Sequence, residues 1–229
     1  MPIALGGAVL FAAIRAIGTI GPTAYRFILP LGFTLMALMP FAFFNKPGRK
    51  KVGFTRAGNT RSYFTAILMG SALAFFCWLL GKLLYDGTYH NWFVSIHTSY
   101  LRSMDVSAIP VWQQFIIFTV PAIIFSPVGE EIFFRGFLQE SLATKLSYRS
   151  AMIIESVFFA VIHLFHHGIV RDLNGAIHFY PVSGLIWMLL MFTTAMSFAW
   201  LKRKSSSIYP PIIAHVMFNL VMNASIFFL

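Results

Sequence analysis

The stretch FYPVSGLIWMLLMFTTAMSFAW, residues 179–200, decides the fold, because its 22 residues hold no Asp, Glu, Lys or Arg. Coiled as an α-helix it reaches about 33 Å, enough to cross a hydrocarbon core roughly 30 Å thick. Two other runs, residues 63–81 and 106–128, are equally free of charge. Four more are apolar for most of their length: 3–21, 27–44, 150–166 and 208–229. The sequence therefore predicts an all-α, polytopic transmembrane helical bundle of about seven spans. Residues 27–44 contain Pro30 and Pro40, so the first two spans form either a hairpin or a pair of tilted helices. The fifth is short and carries Glu155 and His163.

Composition agrees. The 229 residues are 58% hydrophobic and only 10% charged, against about 25% charged in soluble domains. A sphere of this composition cannot cover itself with polar groups, so a soluble globule is excluded, and so is a disordered chain. Nothing outside the apolar runs is long enough for a second domain, and residues 1–229 read as one integral membrane unit. The net charge of +10 does not point to nucleic acid, because Lys and Arg gather in short stretches between the apolar runs. The strongest is Lys46, Arg49, Lys50, Lys51, Arg56 and Arg61. Placing it in the cytoplasm puts twelve basic residues on inner segments and four on outer ones. The expected location is thus a multi-pass membrane protein, of the cell membrane in a prokaryote. Cys77 is the single cysteine, so neither an internal disulfide nor a thiolate zinc cage can form. No cleavable signal peptide is expected, since Met1 to Gly7 hold no basic residue and Arg15 interrupts the apolar region.

Ionisable groups in lipid are costly and face a cavity or a partner. The intramembrane polar residues are Arg15, Glu130, Glu131, Arg135, Glu155, His163, His215, Asn219 and Asn223. They form three spaced groups. EEIFFR, residues 130–135, follows a kink expected at Pro127. Glu131 and Arg135 stack four apart and can pair. Glu130, about 100° round the helix, is left without a cation, which suits a general base. A charge cluster at a helix end explains the same residues. In FAVIH, residues 159–163, Phe159 and His163 share a face. A lone His there is a hydrogen-bonded packing residue as readily as a catalyst. In HVMFN, residues 215–219, His215 and Asn219 aim two polar groups at one spot, as an oxyanion requires. Helix–helix hydrogen bonding is the alternative.

Geometry links the groups. Glu130 and His163 are equally distant from a bend near residues 146–147, so an antiparallel hairpin sets them at one level. His215 lies seven residues into the last span. If the hairpin tip protrudes into the cytoplasm, all three motifs meet in the inner half of the bilayer. His166, His167 and Gly168 would then still lie within the membrane and line a wet cavity. Glu155 precedes His163 by eight residues, on roughly the same face; it is either a supporting partner of the site or a helix–helix contact. Arg15 either snorkels or pairs across helices, and receives no function.

At these residues the sequence resembles the CAAX-protease and bacteriocin-processing (CPBP, or Abi) family of intramembrane proteases. That family is marked by E-E-x-x-x-R, F-x-x-x-H and H-x-x-x-N/D on successive core helices. The resemblance covers residues 106–229; residues 1–105 carry no motif. It implies a catalytic core of the last four helices around a polar cavity, and an endopeptidase cutting within or beside the membrane. It implies that Glu130 and His163 polarise the attacking water, that His215 and Asn219 hold the oxyanion, and that Glu131 with Arg135 is structural. The family has been described both as metalloproteases and as glutamate-dependent proteases. H-E-x-x-H is absent. A metal-free mechanism is expected; with zinc, the ligands would be Glu130, His163 and His215. The expected partners are the bilayer and a peptide or protein substrate, not nucleic acid. The rival functions are a non-catalytic immunity or scaffold protein of the same fold and a proton-coupled transporter.

Overall fold

A computed structural model describes all residues, 1–229, and the chain is almost entirely helical. Ten α-helices follow in order: α1 (Pro2–Ile20), α2 (Ile28–Phe43), α3 (Lys46–Val52), α4 (Arg61–Tyr85), α5 (Trp92–Leu101), α6 (Val111–Glu131), α7 (Gln139–Leu142), α8 (Tyr148–Ile162), α9 (Pro181–Ser205) and α10 (Tyr209–Phe228). Seven helical segments are long and apolar enough to span a bilayer, at 2–20, 23–43, 61–85, 111–142, 148–165, 181–205 and 209–228. They coincide with the seven expected runs, and the protein is an integral, multi-pass membrane protein. Leu83, Val182 and Phe64 are 74%, 69% and 64% exposed on its flanks, as side chains facing lipid are. Proline marks helix starts where its missing N–H costs nothing, at Pro2, Pro181, Pro210 and Pro211. Ser147 caps α8 by accepting the Ser150 N–H at 3.1 Å.

The fourth span is longer than residues 106–128. It continues through a π-helical segment, Ile132–Leu138, into α7, and covers Val111–Leu142. Pro127 lies inside the α-helix, and α geometry gives way to the π segment only after Glu131. The π segment is wholly buried. It keeps Arg135 within reach of both Glu131 and the Ala195 carbonyl of α9. π-turns of this kind gather at functional sites.

Two glycines set the close approaches around the motif helices. A Cβ on Gly70 of α4 would lie 2.0 Å from the Ala214 carbonyl oxygen of α10. One on Gly129 of α6 would lie 2.3 Å from the Phe33 carbonyl oxygen of α2. Small residues thus let backbones touch directly beside His215 and Glu130, as membrane helix pairs do.

The two ends of the bundle differ. At one, α3 and the following loop fold across the α9–α10 turn. Ile208 N–H donates to the Gly53 carbonyl at 3.0 Å, Ser207 to Thr55 at 2.6 Å and Lys202 to Lys51 at 3.2 Å. The basic stretches assigned to one side by charge therefore meet at one end. At the other sit α5 and a short antiparallel hairpin, β1 (Ile169–Arg171) and β2 (Ile177–Phe179), which the sequence left as a polar connection. There Arg102 donates to the Thr19 and Gly21 carbonyls, and Arg171 to Ile20, closing the C-terminus of α1. The first two spans form the hairpin alternative, packing against each other and against α6.

Candidate active site

The three motifs converge. α6 ends on Glu130 and Glu131, α8 ends one residue before His163, and His215 and Asn219 lie one turn apart on α10. All of these side chains are buried. Glu130 Oε2 and His163 Nε2 are 3.9 Å apart. His163 Nδ1 lies 2.6 Å from the Phe159 carbonyl. That oxygen only accepts, so Nδ1 carries the proton and Nε2 presents its lone pair. The F-x-x-x-H spacing explains this placement: residue 163 sits one turn after 159, and its ring also stacks on the Phe159 ring at 4.3 Å. The Trp187 indole donates to the His163 carbonyl at 3.1 Å and fixes the helix end from α9.

Glu130 is not the cation-free carboxylate expected from the sequence. The guanidinium of Arg15, from α1, forms an ion pair with Glu130 Oε1. Arg15 also donates to His166 Nε2 at 2.7 Å, and Ser126 donates to Glu130 Oε1 at 3.1 Å. The sequence could not show this, because the pair is 115 residues apart in the chain. Glu130 Oε2, by contrast, is buried and has no partner. A buried carboxylate oxygen without a donor is an open position for a proton-bearing group.

Glu131 and Arg135 pair at 3.1 Å, as their spacing predicts. Arg135 reaches Glu155 at 3.6 Å as well, so Glu155 joins α8 to the π turn rather than supporting His163. Glu155 is thus a helix–helix contact that also stands behind the site, because Arg135 donates to the same Glu131 oxygen that holds His215. His215 Nδ1 lies 2.8 Å from Glu131 Oε1, the oxygen to which Arg135 also donates. This changes the expected pair of donors: neutral His215, with its proton on Nδ1, turns an acceptor toward the cavity. Asn219 uses one amide N–H on the Ala122 carbonyl at 2.9 Å and keeps the second free. Asn223 bonds Thr119 and Tyr100, which makes it structural.

These groups border a cavity of ≈ 520 Å³, within the usual size range of ligand pockets, roughly 300–1,000 Å³. His163, His166, His215 and Asn219 line it, with Phe159, Trp187, Met191 and Phe198 between them. Glu130 stands behind the wall, reached through Arg15, Ser126 and His163, which all line the cavity and contact it. The walls are not limited to the last four spans. Arg15, Arg26, Leu29 and Phe33 from the motif-free N-terminal region contribute one side. Of the polar run after α8, His166 faces the cavity, while His167 is enclosed, bonded to Ser95 and Ser183 at 2.8 Å each. The residues do not fit a zinc ion as they stand. No three His, Cys, Asp or Glu side chains are grouped to hold a metal, and a guanidinium already takes one oxygen of Glu130.

Residues 112–221 match a family model described as type II CAAX prenyl endopeptidase Rce1-like. The match spans just under half of the chain and contains all three motifs, which bears out the resemblance read from them. Arg15 and Arg26 lie outside it. No curated protein and no solved structure matches the chain.

Proposed function

We propose, from the premise that residues 112–221 are of the Rce1-like CAAX prenyl endopeptidase family, that this protein is an intramembrane endopeptidase working through Glu130, His163, His215 and Asn219. The observation that carries the reading is the unpartnered Glu130 Oε2 facing the His163 Nε2 lone pair at 3.9 Å. A water about 2.8 Å from both acceptors would donate one hydrogen to each at an angle near 90°. Its own lone pairs then remain free to attack.

The water oxygen bonds to the scissile carbonyl carbon as one of its protons moves to Glu130, with His163 orienting it. The carbonyl electron pair becomes the oxyanion, which accepts from the free N–H of Asn219. His215 flanks the oxyanion position from one turn away on the same helix, its neutral ring held in place by the Nδ1–H that Glu131 accepts. Collapse restores the carbonyl and breaks the C–N bond, and the proton on Glu130 passes to the leaving nitrogen. Arg15 keeps Glu130 oriented throughout, through the oxygen that the water does not use.

The family description makes an S-prenylated C-terminal peptide the first substrate to try. With purified protein and an internally quenched, S-farnesylated peptide ending Cys-Ile-Ile-Met, the wild type cleaves. Glu130→Ala and His163→Ala abolish cleavage, and Asn219→Ala lowers the rate about 10²–10³-fold while the protein stays folded. Full activity in a well-folded Glu130→Ala protein would overturn the proposal.

A further inference from the structure

We infer that His166 is a positioning residue for the hydrolysis. By accepting from Arg15 it confines that guanidinium to one oxygen of Glu130 and keeps the other open to water; this rests on the proteolytic reading above.

The chain brings His166 to Arg15 by tightening at the end of α8. The α-helix stops at Ile162, and His163–Phe165 form a single 3₁₀ turn. Three residues complete such a turn, so positions i and i+3 eclipse; in a continuing α-helix they stand about 60° apart. The His166 N–H donates to the His163 carbonyl at 2.9 Å. The two rings meet edge to face, 5.1 Å apart at 89°. Both residues line the cavity, as does Arg15. His166 thus stands beside the proposed water position, yet no step of the hydrolysis uses it.

Arginine and a carboxylate commonly pair fork to fork, through two parallel N–H···O bonds. Arg15 and Glu130 do not. Arg15 Nη2 holds Glu130 Oε1, Arg15 Nη1 lies 2.7 Å from His166 Nε2, and Arg15 Nε is buried without a partner. Neither edge of the guanidinium is spent as a fork, and Glu130 Oε2 stays free. Arginine only donates, so His166 Nε2 accepts and the ring proton sits on Nδ1. The guanidinium is rigid and planar; turning either edge square onto the carboxylate pulls Nη1 off His166. The neighbouring pair is arranged alike. Arg135 gives one Nη to Glu131 at 3.1 Å and the other to the Ala195 carbonyl at 3.2 Å. There the diverting acceptor is backbone; at Arg15 it is a side chain, and a substitution can remove it. Without His166, Nη1 is left against an apolar wall, with the Phe33 ring 5.4 Å from the guanidinium carbon. An unpaired buried donor on a charged group is costly, and Glu130 Oε2 is the free acceptor on the carboxylate already held. The guanidinium then closes on both oxygens, and the carboxylate that takes the water's proton is capped.

The test compares wild type with His166→Phe, His166→Ala and His166→Gln, by kinetics on the quenched farnesyl peptide and by a crystal structure of each protein. His166→Phe and His166→Ala both remove the acceptor, one keeping a ring and the other adding no bulk. Each should lower kcat about 10²-fold, the low end of what a general base contributes, with KM unchanged. Each structure should show Arg15 on both oxygens of Glu130. A Gln carbonyl reaches the position of Nε2, so His166→Gln should keep most of the activity and the one-pronged pair. Full activity in either deletion overturns the inference. So does a loss of kcat with Arg15 unmoved, or a rise in KM at constant kcat, which marks a substrate contact instead. An equal loss in His166→Gln with the one-pronged pair intact overturns it as well. A wild type that cleaves no peptide sinks the proteolytic reading, and the structures still decide the positioning. Arg15 two-pronged in the deletions and one-pronged in His166→Gln upholds it; Arg15 alike in all four overturns it.

Discussion

Replacing Arg15 by methionine keeps most of the side chain's length and removes its charge. Arg15 is 3% exposed and Glu130 is fully buried. The change strands a carboxylate whose remaining donor is Ser126, and takes the donor from His166. Breaking one side of a buried ion pair costs about 3–5 kcal/mol, or roughly 10²–10³·⁵ in the folded-to-unfolded ratio. Removing both charges leaves no stranded ion, so the double variant Arg15→Met/Glu130→Gln should recover at least half of that loss. The expected coupling is about 2–3 kcal/mol, at the upper end for contacting residues. The assay is a double-mutant cycle on unfolding in bicelles by steric trapping. Both single variants and the double are expected to be inactive, so stability rather than turnover reads the pair. Additivity within about 0.5 kcal/mol would refute the ion pair and the orienting role given to Arg15.

Gly70→Ala drives a Cβ against the Ala214 backbone. It should cost about 1–3 kcal/mol and, by moving His215, lower activity by around 10²-fold; Gly6→Ala, which meets nothing within 4 Å, should change neither. Chelation by 1,10-phenanthroline should leave activity intact, because the proposed chemistry uses a carboxylate, an imidazole and water; inhibition reversed by added zinc would contradict it. In the β1–β2 loop, the hydrogen bond from His178, followed by the one from the Ala176 N–H, holds the Asp172 carboxyl below its usual value of 3.8. A depressed acid stabilises above its unfolded pKa and ceases to as pH falls through the folded value. Amide protection at Ala176 should therefore be constant from neutral pH to about pH 4 and fall below that. Asp172→Asn should flatten the dependence; an unchanged profile in that variant would contradict the assignment.

Much of this architecture was legible because lipid leaves few options. Apolar runs of 17–23 residues, two of them carrying Arg15 or Glu155, marked the spans, and the Lys and Arg clusters sorted the basic connections onto one end of the bundle. Glu131–Arg135 was legible because four residues on a helix are neighbours in any context. What the sequence hid was long-range pairing. Arg15 stood out as a charge within an apolar helix, yet nothing local named Glu130 as its partner. Its isolation was the available signal, since a lone intramembrane cation needs an anion somewhere. Glu155 was ambiguous for the same reason, as its partner Arg135 lies on another element. The tautomer of His215 depended on Glu131, also on another helix. The π turn escaped because Pro127 offered a simpler cause for a bend, whereas the turn follows the burial of Arg135 and the packing of Gly136 on Val52.

The most direct measurement compares peptide termini in membranes of cells making wild-type or Glu130→Ala protein at equal levels. The account predicts at least one new protein end in the wild type, cut near a membrane segment or a C-terminus and absent with Glu130→Ala. Identical sets of termini, with both proteins folded and inserted, would contradict it.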